Sequence, residues 1–155
     1  MIRELAHASG SRWLIAGQVL DLEGEGKPIR REELKFIHLA KTAALLTSSI
    51  RLGAMSANAT EARLQHLTDF GQALGLAFQI IDDILDVTQT TEKLGKTAGK
   101  DVQATKATYP AIFGLERSRA EAHRLTDAAM AALKPFGEKG AMLRQLAGYL
   151  LAREY

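Results

Sequence analysis

An all-α helical bundle is the fold class predicted for this 155-residue chain. Apolar residues recur with the helical period, no run of alternating β-branched residues reads as a strand, and glycines and prolines cluster between the periodic stretches. The length suits one domain with a real core, and 46% hydrophobic with 25% charged residues is a globular composition.

A first helix is predicted from about residue 2 to 21, ending at EGEGKPI (23–29), where Gly24, Gly26 and Pro28 break the pattern. A second runs from about 31 to 54 and stops near Gly53. Asn58, followed three residues later by Glu61, has the pattern of an N-terminal cap for a third helix that continues to about 88. That helix is apolar nearly all round, which marks an element enclosed by others. Residues 88–108 form a long polar, glycine-punctuated connection, of a kind that is usually functional or disordered. Pro110 suits a helix start; the pattern then runs to about 133, and Pro135 and Gly137 separate a last helix from about 138 to 153.

Composition narrows the function. Without cysteine there are no disulfides or thiolate metal sites, which fits a reducing compartment, and cytoplasm is the expectation. No apolar run approaches the roughly 20 residues that span a bilayer, and the N-terminus has no signal-peptide core, so no membrane span is expected. A formal charge of +2 and 6% aromatic residues give neither the field nor the stacking platform of a nucleic-acid binder.

The stretch FQIIDDILDV (78–87) places Asp82, Asp83 and Asp86 inside a hydrophobic run. At about 100° per residue, Gln72, Gln79 and the three aspartates share one arc, with Leu74, Ala77, Phe78, Ile81, Ile84 and Leu85 opposite. A solvated face mixes lysine and glutamate in pairs one turn apart, whereas this stripe is acid and amide only. Aspartate is also a mediocre helix former, and the macrodipole disfavours anions near a helix C-terminus. A divalent cation offsets those penalties. Asp82 and Asp86, one turn apart, can aim oxygens at one point, as hard Mg²⁺ requires, and Mg²⁺ held by so few protein ligands binds mainly through substrate phosphates. Lys93, Lys96, Lys100 and Lys106 follow, placed to meet a diphosphate, although Lys93 and Lys100 read better as ordinary solvated lysines. The second helix carries a basic and hydroxylic arc of His38, Lys41, Thr42, Ser48 and Ser49, in which His38 reads as a structural hydrogen-bonder. On the first helix, Gln18 and Asp21 lie three apart.

In order, GQVLDL (17–22), IHLAKTAALL (37–46), GLAFQIIDDILDV (75–87), LGKTAGKD (94–101) and KATYPAIFGLE (106–116) resemble the C-terminal half of a bacterial trans-prenyl diphosphate synthase of the farnesyl diphosphate synthase type. A lone DDxxD is weak; the ordered set spans essentially the whole chain. The resemblance implies part of an isoprenoid-synthase-type fold lacking its N-terminal helices, with residues 1–155 as the C-terminal portion of the domain. It implies Mg²⁺-dependent condensation of an allylic diphosphate with isopentenyl diphosphate, with a farnesyl or geranyl product. Asp82, Asp83 and Asp86 would be the second aspartate-rich motif, with Asp82 the direct Mg²⁺ ligand and Asp21 and Gln18 beside the metals. Lys41, Thr42, Gln79 and Lys96 would line the allylic site, and Lys106 would support the loop near the diphosphate.

The family's first aspartate-rich motif and its upstream basic segment for isopentenyl diphosphate do not occur in residues 1–155. With one carboxylate wall, the chain alone is expected to be catalytically incompetent, a fragment or one half completed by a complementing N-terminal chain. Homo-oligomerisation is also expected, because the family is usually dimeric and a half-chain leaves apolar faces uncovered. Two rivals stand beside this reading. A di-metal carboxylate bundle calls for Glu from two helices and two Glu-x-x-His pairs, and only Glu4 and His7 show that spacing. A non-catalytic scaffold or regulatory subunit derived from a prenyl synthase would bind a partner through apolar helix faces, but has no reason to keep acidic residues at a cleft.

Overall fold

The computed structural model describes residues 1–88 and 107–152. Among them every regular element is helical: α1 (Ile2–Ser9), α2 (Leu14–Glu23), α3 (Arg31–His38), a π-helical turn (Leu39–Ala43), α4 (Ala44–Ser56), α5 (Glu61–Thr88), α6 (Tyr109–Phe113), α7 (Leu115–Ala132), a 3-10 turn (Lys134–Gly140) and α8 (Ala141–Leu151). The all-α expectation holds.

The 28-residue α5 is the axis of the bundle, packed by α7 on one flank and by α4 with the π-turn on another. Its nearly uniform apolar sequence is explained by this enclosure: Phe70, Leu74, Ile80, Ile81 and Ile84 are fully buried, with Leu133 from the end of α7 joining them. None of the described helices is long and apolar enough to cross a membrane.

Boundaries depart from expectation where small residues carry the backbone. The single helix expected over 2–21 is two, because Gly10 is extended (φ −78°, ψ −175°) and Trp13 lies outside the helical region. Ser9, Gly10 and Ser11 are weak helix formers, and the Trp13 indole donates to His7 Nε2 at 2.8 Å across the corner. Asn58 does not cap α5; it takes φ 53° and ends α4, a left-handed position that asparagine tolerates. The α5 cap is Thr60, whose hydroxyl accepts the Arg63 amide at 3.4 Å. Gly114, at φ 84°, splits the helix expected over 110–133 into α6 and α7, and Thr108 caps α6 by accepting the Ala111 amide.

Glycine governs the closest approaches. A Cβ on Gly75 of α5 would stand 2.6 Å from the Cα and Cβ of Ala43 in the π-turn, and one on Gly71 would stand 2.8 Å from the Cα of Thr47. A Cβ on Gly17 of α2 would overlap the backbone nitrogen of Lys41 and lie 2.9 Å from its Cα. Gly75→Ala must therefore push α5 off the π-turn and is expected to cost about 1–3 kcal/mol. Gly148→Ala, where a Cβ meets nothing within 4 Å, should be neutral or slightly stabilising, by up to about 1 kcal/mol. Urea denaturation of both variants checks this; equal midpoints would contradict the close packing.

Candidate functional site

The site begins with the π-turn. Ala44 N–H bonds to the Leu39 carbonyl five residues back, so one extra residue is accommodated between α3 and α4, and Lys41 and Thr42 sit in that widened turn. Gly17 lets α2 lie against it from one side and Gly75 lets α5 lie against it from another. Asp21, one turn beyond Gly17, then reaches Lys41: Nζ to Oδ2 is 2.7 Å, with both side chains half-buried. From the other side the Thr42 hydroxyl donates to Gln79 Oε1 at 2.8 Å. The structure thus joins two pairs drawn from the residues singled out in the sequence.

Along α5, Asp82 and Asp86 stand three and seven residues beyond Gln79 and share its face. Asp82 is partly exposed and Asp86 is buried, at 5% exposure. Asp83 turns elsewhere. Its Oδ2 accepts the backbone N–H of Tyr109 at 2.7 Å and lies 3.5 Å from His38 Nε2, so this carboxylate joins α3, α5 and α6. Gln18 is exposed on α2, one turn before Asp21. Lys96 and Lys106, with Lys93 and Lys100, lie outside the described residues.

His38 is buried, and burial lowers its pKa from the usual 6.5 to about 4; Asp21 opposes the shift and Lys41 adds to it. It is therefore neutral at pH 7, with Nε2 in a 3.5 Å polar contact to Asp83 and its ring stacked on Tyr109 at a centroid distance of 6.2 Å. Its Nδ1 has no hydrogen-bond partner among the described residues.

The polar arc expected on the second helix breaks in two. Lys41 and Thr42 face Asp21 and Gln79, but Ser48 is buried and the exposed Ser49 hydroxyl bonds to the Leu45 carbonyl at 2.9 Å. The extra residue in the π-turn rotates everything after it relative to a regular helix, which arc counting at constant pitch cannot see. Ser48 and Thr47 instead line a cavity of about 220 Å³ between α1, α4 and α5, with Gln72 on its wall. Their hydroxyls are buried without partners among the described residues. There Arg51 donates to Glu4 at 2.6 Å and to Thr68 at 2.6 Å. Glu4 is thus committed to Arg51 and His7 to Trp13, which leaves nothing of a Glu-x-x-His metal pair.

Among the described residues no group of three or more histidines or acids surrounds one point. On the Gln79 face, the carboxylates of Asp82 and Asp86 offer the hard oxygen chemistry that suits a cation taking few protein ligands and completing its shell with phosphate and water.

The polyprenyl synthetase family pattern matches residues 4–146. The chain belongs to that family. It is 49% identical over 156 aligned residues to a chloroplastic geranylgeranyl pyrophosphate synthase of Arabidopsis thaliana, which covers 98% of this chain and 43% of that protein. It is 46% identical to a dimethylallyltranstransferase of Fischerella ambigua, covering 100% of this chain and 45% of the relative. The chain therefore spans less than half the length of these polyprenyl synthetases. The geranyltransferase of Helicobacter pylori, solved with magnesium and isoprenyl diphosphate, superposes with a TM-score of 0.77 at 32% identity, over 97% of this chain and 51% of that one.

The features missed in the sequence are tertiary: the π-turn, the backbone amide of Tyr109 as the partner of Asp83, and the Arg51 cavity. The only local signal was the pair of small residues, Gly71 and Gly75, one turn apart on α5.

One pH dependence follows from His38. Its folded pKa lies below the unfolded value, so the unfolded chain takes up the proton first, and stability present above about pH 6.5 is lost as pH falls towards 4. The loss is on the order of 1–3 kcal/mol. His38→Phe, which keeps the ring on Tyr109, should melt at a temperature that falls less between pH 7 and pH 5 than the wild type; parallel curves would contradict the assignment.

Proposed function

We propose that the polar seam where α2, the π-turn and α5 meet binds the diphosphate of an allylic prenyl substrate with Mg²⁺, as half of the site at which that substrate condenses with isopentenyl diphosphate. One observation carries this reading: Lys41 held by Asp21 and Thr42 held by Gln79 are consecutive residues of the π-turn, and Asp82 and Asp86 follow Gln79 along its face of α5, in a chain of the polyprenyl synthetase family. Asp82 and Asp86 are the metal-binding carboxylates, with Asp21 near them.

Breaking the allylic C–O bond sends the electron pair to diphosphate. Mg²⁺, when bound, supplies positive charge that stabilises the departing group. Lys41 adds a fixed ammonium beside it; its salt bridge to Asp21 sets the side chain in place before substrate arrives. The Thr42 hydroxyl gives its proton to the bond with Gln79, so its oxygen lone pairs are left to face the allylic cation. The isopentenyl double bond then attacks that cation and a proton is lost. Gln18 is assigned to substrate binding, as are Lys96 and Lys106, which lie outside the described residues.

A short-chain product, geranyl, farnesyl or geranylgeranyl, is the reading favoured by the sequence relatives, which carry geranylgeranyl pyrophosphate synthase and dimethylallyltranstransferase names; a decaprenyl diphosphate synthase stands among the solved neighbours. Only one aspartate-rich motif occurs in the 155 residues, so the chain by itself is expected not to turn over, and to need the carboxylate wall supplied by a complementing chain. A scaffold or regulatory role is the second reading, supported by the exposed Ile15, Val19 and Leu22 along α2, a stripe suited to assembly with another copy or another subunit.

Mg²⁺ with inorganic pyrophosphate should raise the melting temperature of the chain, by a stabilisation of about 2.7 kcal/mol at a hundredfold excess over Kd. Asp82→Asn should abolish the shift, and Lys41→Ala should weaken pyrophosphate binding by about tenfold. No shift in the wild type would favour the scaffold. Incorporation of labelled isopentenyl diphosphate by the 155-residue chain alone would overturn the claim that it needs a partner.

A further inference from the structure

Asp83 is the second residue of the DDILD run (82–86), yet its surroundings differ from those of the aspartates on either side. We propose that Asp83 is a positioning residue rather than a metal ligand: its carboxylate fastens the first turn of α6 to α5 and thereby fixes how Asp82 and Asp86 are presented to Lys41. The inference rests on the proposed diphosphate site only for its second half.

Three observations support it. Asp83 Oδ2 already accepts the Tyr109 N–H at 2.7 Å, a charge-assisted bond to a backbone donor that is itself buried. The bond fixes the carboxylate towards α6, so its orientation is set by the backbone of Tyr109 and not by a metal. The same oxygen faces His38 Nε2 at 3.5 Å, and because His38 is neutral the contact is a weak polar one that adds no counter-charge. Finally, the anchor is backed by a column of rings. His38 stacks on Tyr109, Tyr109 on Phe113 at 4.4 Å, and the Arg31 guanidinium lies 5.2 Å from the Phe113 centroid. The column runs from the α3 surface down to the carboxylate and leaves Tyr109 little freedom to leave its partner.

Position on the helix makes the role consequential. Asp82 and Asp86 flank Asp83 by one and three residues, so a bond that fixes the rotation of the last turns of α5 fixes both of their side chains. An acid at position 83 therefore serves the metal site through α6.

Asparagine at 83 separates the two roles, since its carbonyl oxygen can still accept the Tyr109 N–H but is a poor Mg²⁺ ligand. The test uses the 155-residue chain with Mg²⁺ and inorganic pyrophosphate as the probe. Without ligand, amide exchange at Tyr109 should be about tenfold faster or more in Asp83→Ala and close to wild type in Asp83→Asn. With the probe, Asp83→Asn should keep most of the wild-type melting shift, Asp82→Asn should lose it, and Asp83→Ala should need a several-fold higher probe concentration. Loss of the shift in Asp83→Asn equal to that in Asp82→Asn would overturn the proposal, as would wild-type exchange at Tyr109 in Asp83→Ala. If Asp83→Ala does not fold, Asp83→Asn decides: slow exchange with a retained shift supports the anchor, and fast exchange or a lost shift rejects it. If even the wild type shows no shift, the diphosphate reading fails, and exchange at Tyr109 still decides whether the anchor exists.

Discussion

The π-turn at Leu39–Ala43 is pressed between two backbones, α2 at Gly17 and α5 at Gly75, at separations no side chain could enter. Almost everything at the polar seam follows from that contact. Asp21 lies within reach of Lys41 because α2 can come this close, and Gln79 lies within reach of Thr42 because α5 can. The wider π-turn in turn places Lys41 and Thr42 on consecutive positions that address two different helices. Close packing of this kind resists gradual deformation, so the relative placement of the polar groups is set by backbone and not by adjustable side chains.

The aspartates show how one short run can carry several jobs. Asp82 is partly open, Asp86 is buried on the same face, and Asp83 belongs to the seam between α3, α5 and α6. Adjacent positions on a helix point about 100° apart, which puts Asp82 and Asp83 at opposite edges of the polar arc, and the Tyr109 bond draws Asp83 to the α6 side. The doubled acid then makes physical sense as one group for the polar site and one for the scaffold behind it.

Much of this was legible in the sequence. The enclosure of α5 follows from an apolar pattern with no solvated side, and Lys41, Asp21, Thr42 and Gln79 stood out because polar residues at helical spacing interrupt apolar ones. The corner at Gly10 was not legible, because a lone glycine is tolerated within helices and only the Trp13–His7 bond shows that the chain turns there. The π-turn was invisible for a deeper reason: LAKTA is as good an α-helical sequence as any, and the insertion is imposed by what packs on either side. That is why Ser48 and Ser49 were placed on the Lys41 face and are found elsewhere. The tie between Asp83 and Tyr109 joins residues 26 apart through a main-chain donor, which no side-chain pattern encodes.

Salt concentration should act unevenly on this architecture because of how α1 is attached. At eight residues it is too short to be stable alone, and its polar link to α4 is the Glu4–Arg51 bridge, whose side chains keep 26% and 19% of their exposure. Ions in the medium screen such a semi-open pair far more than they disturb the apolar interior around α5, so raising ionic strength loosens the N-terminal helix first. The Arg51 cavity beneath it would then become accessible while the rest of the bundle is still intact.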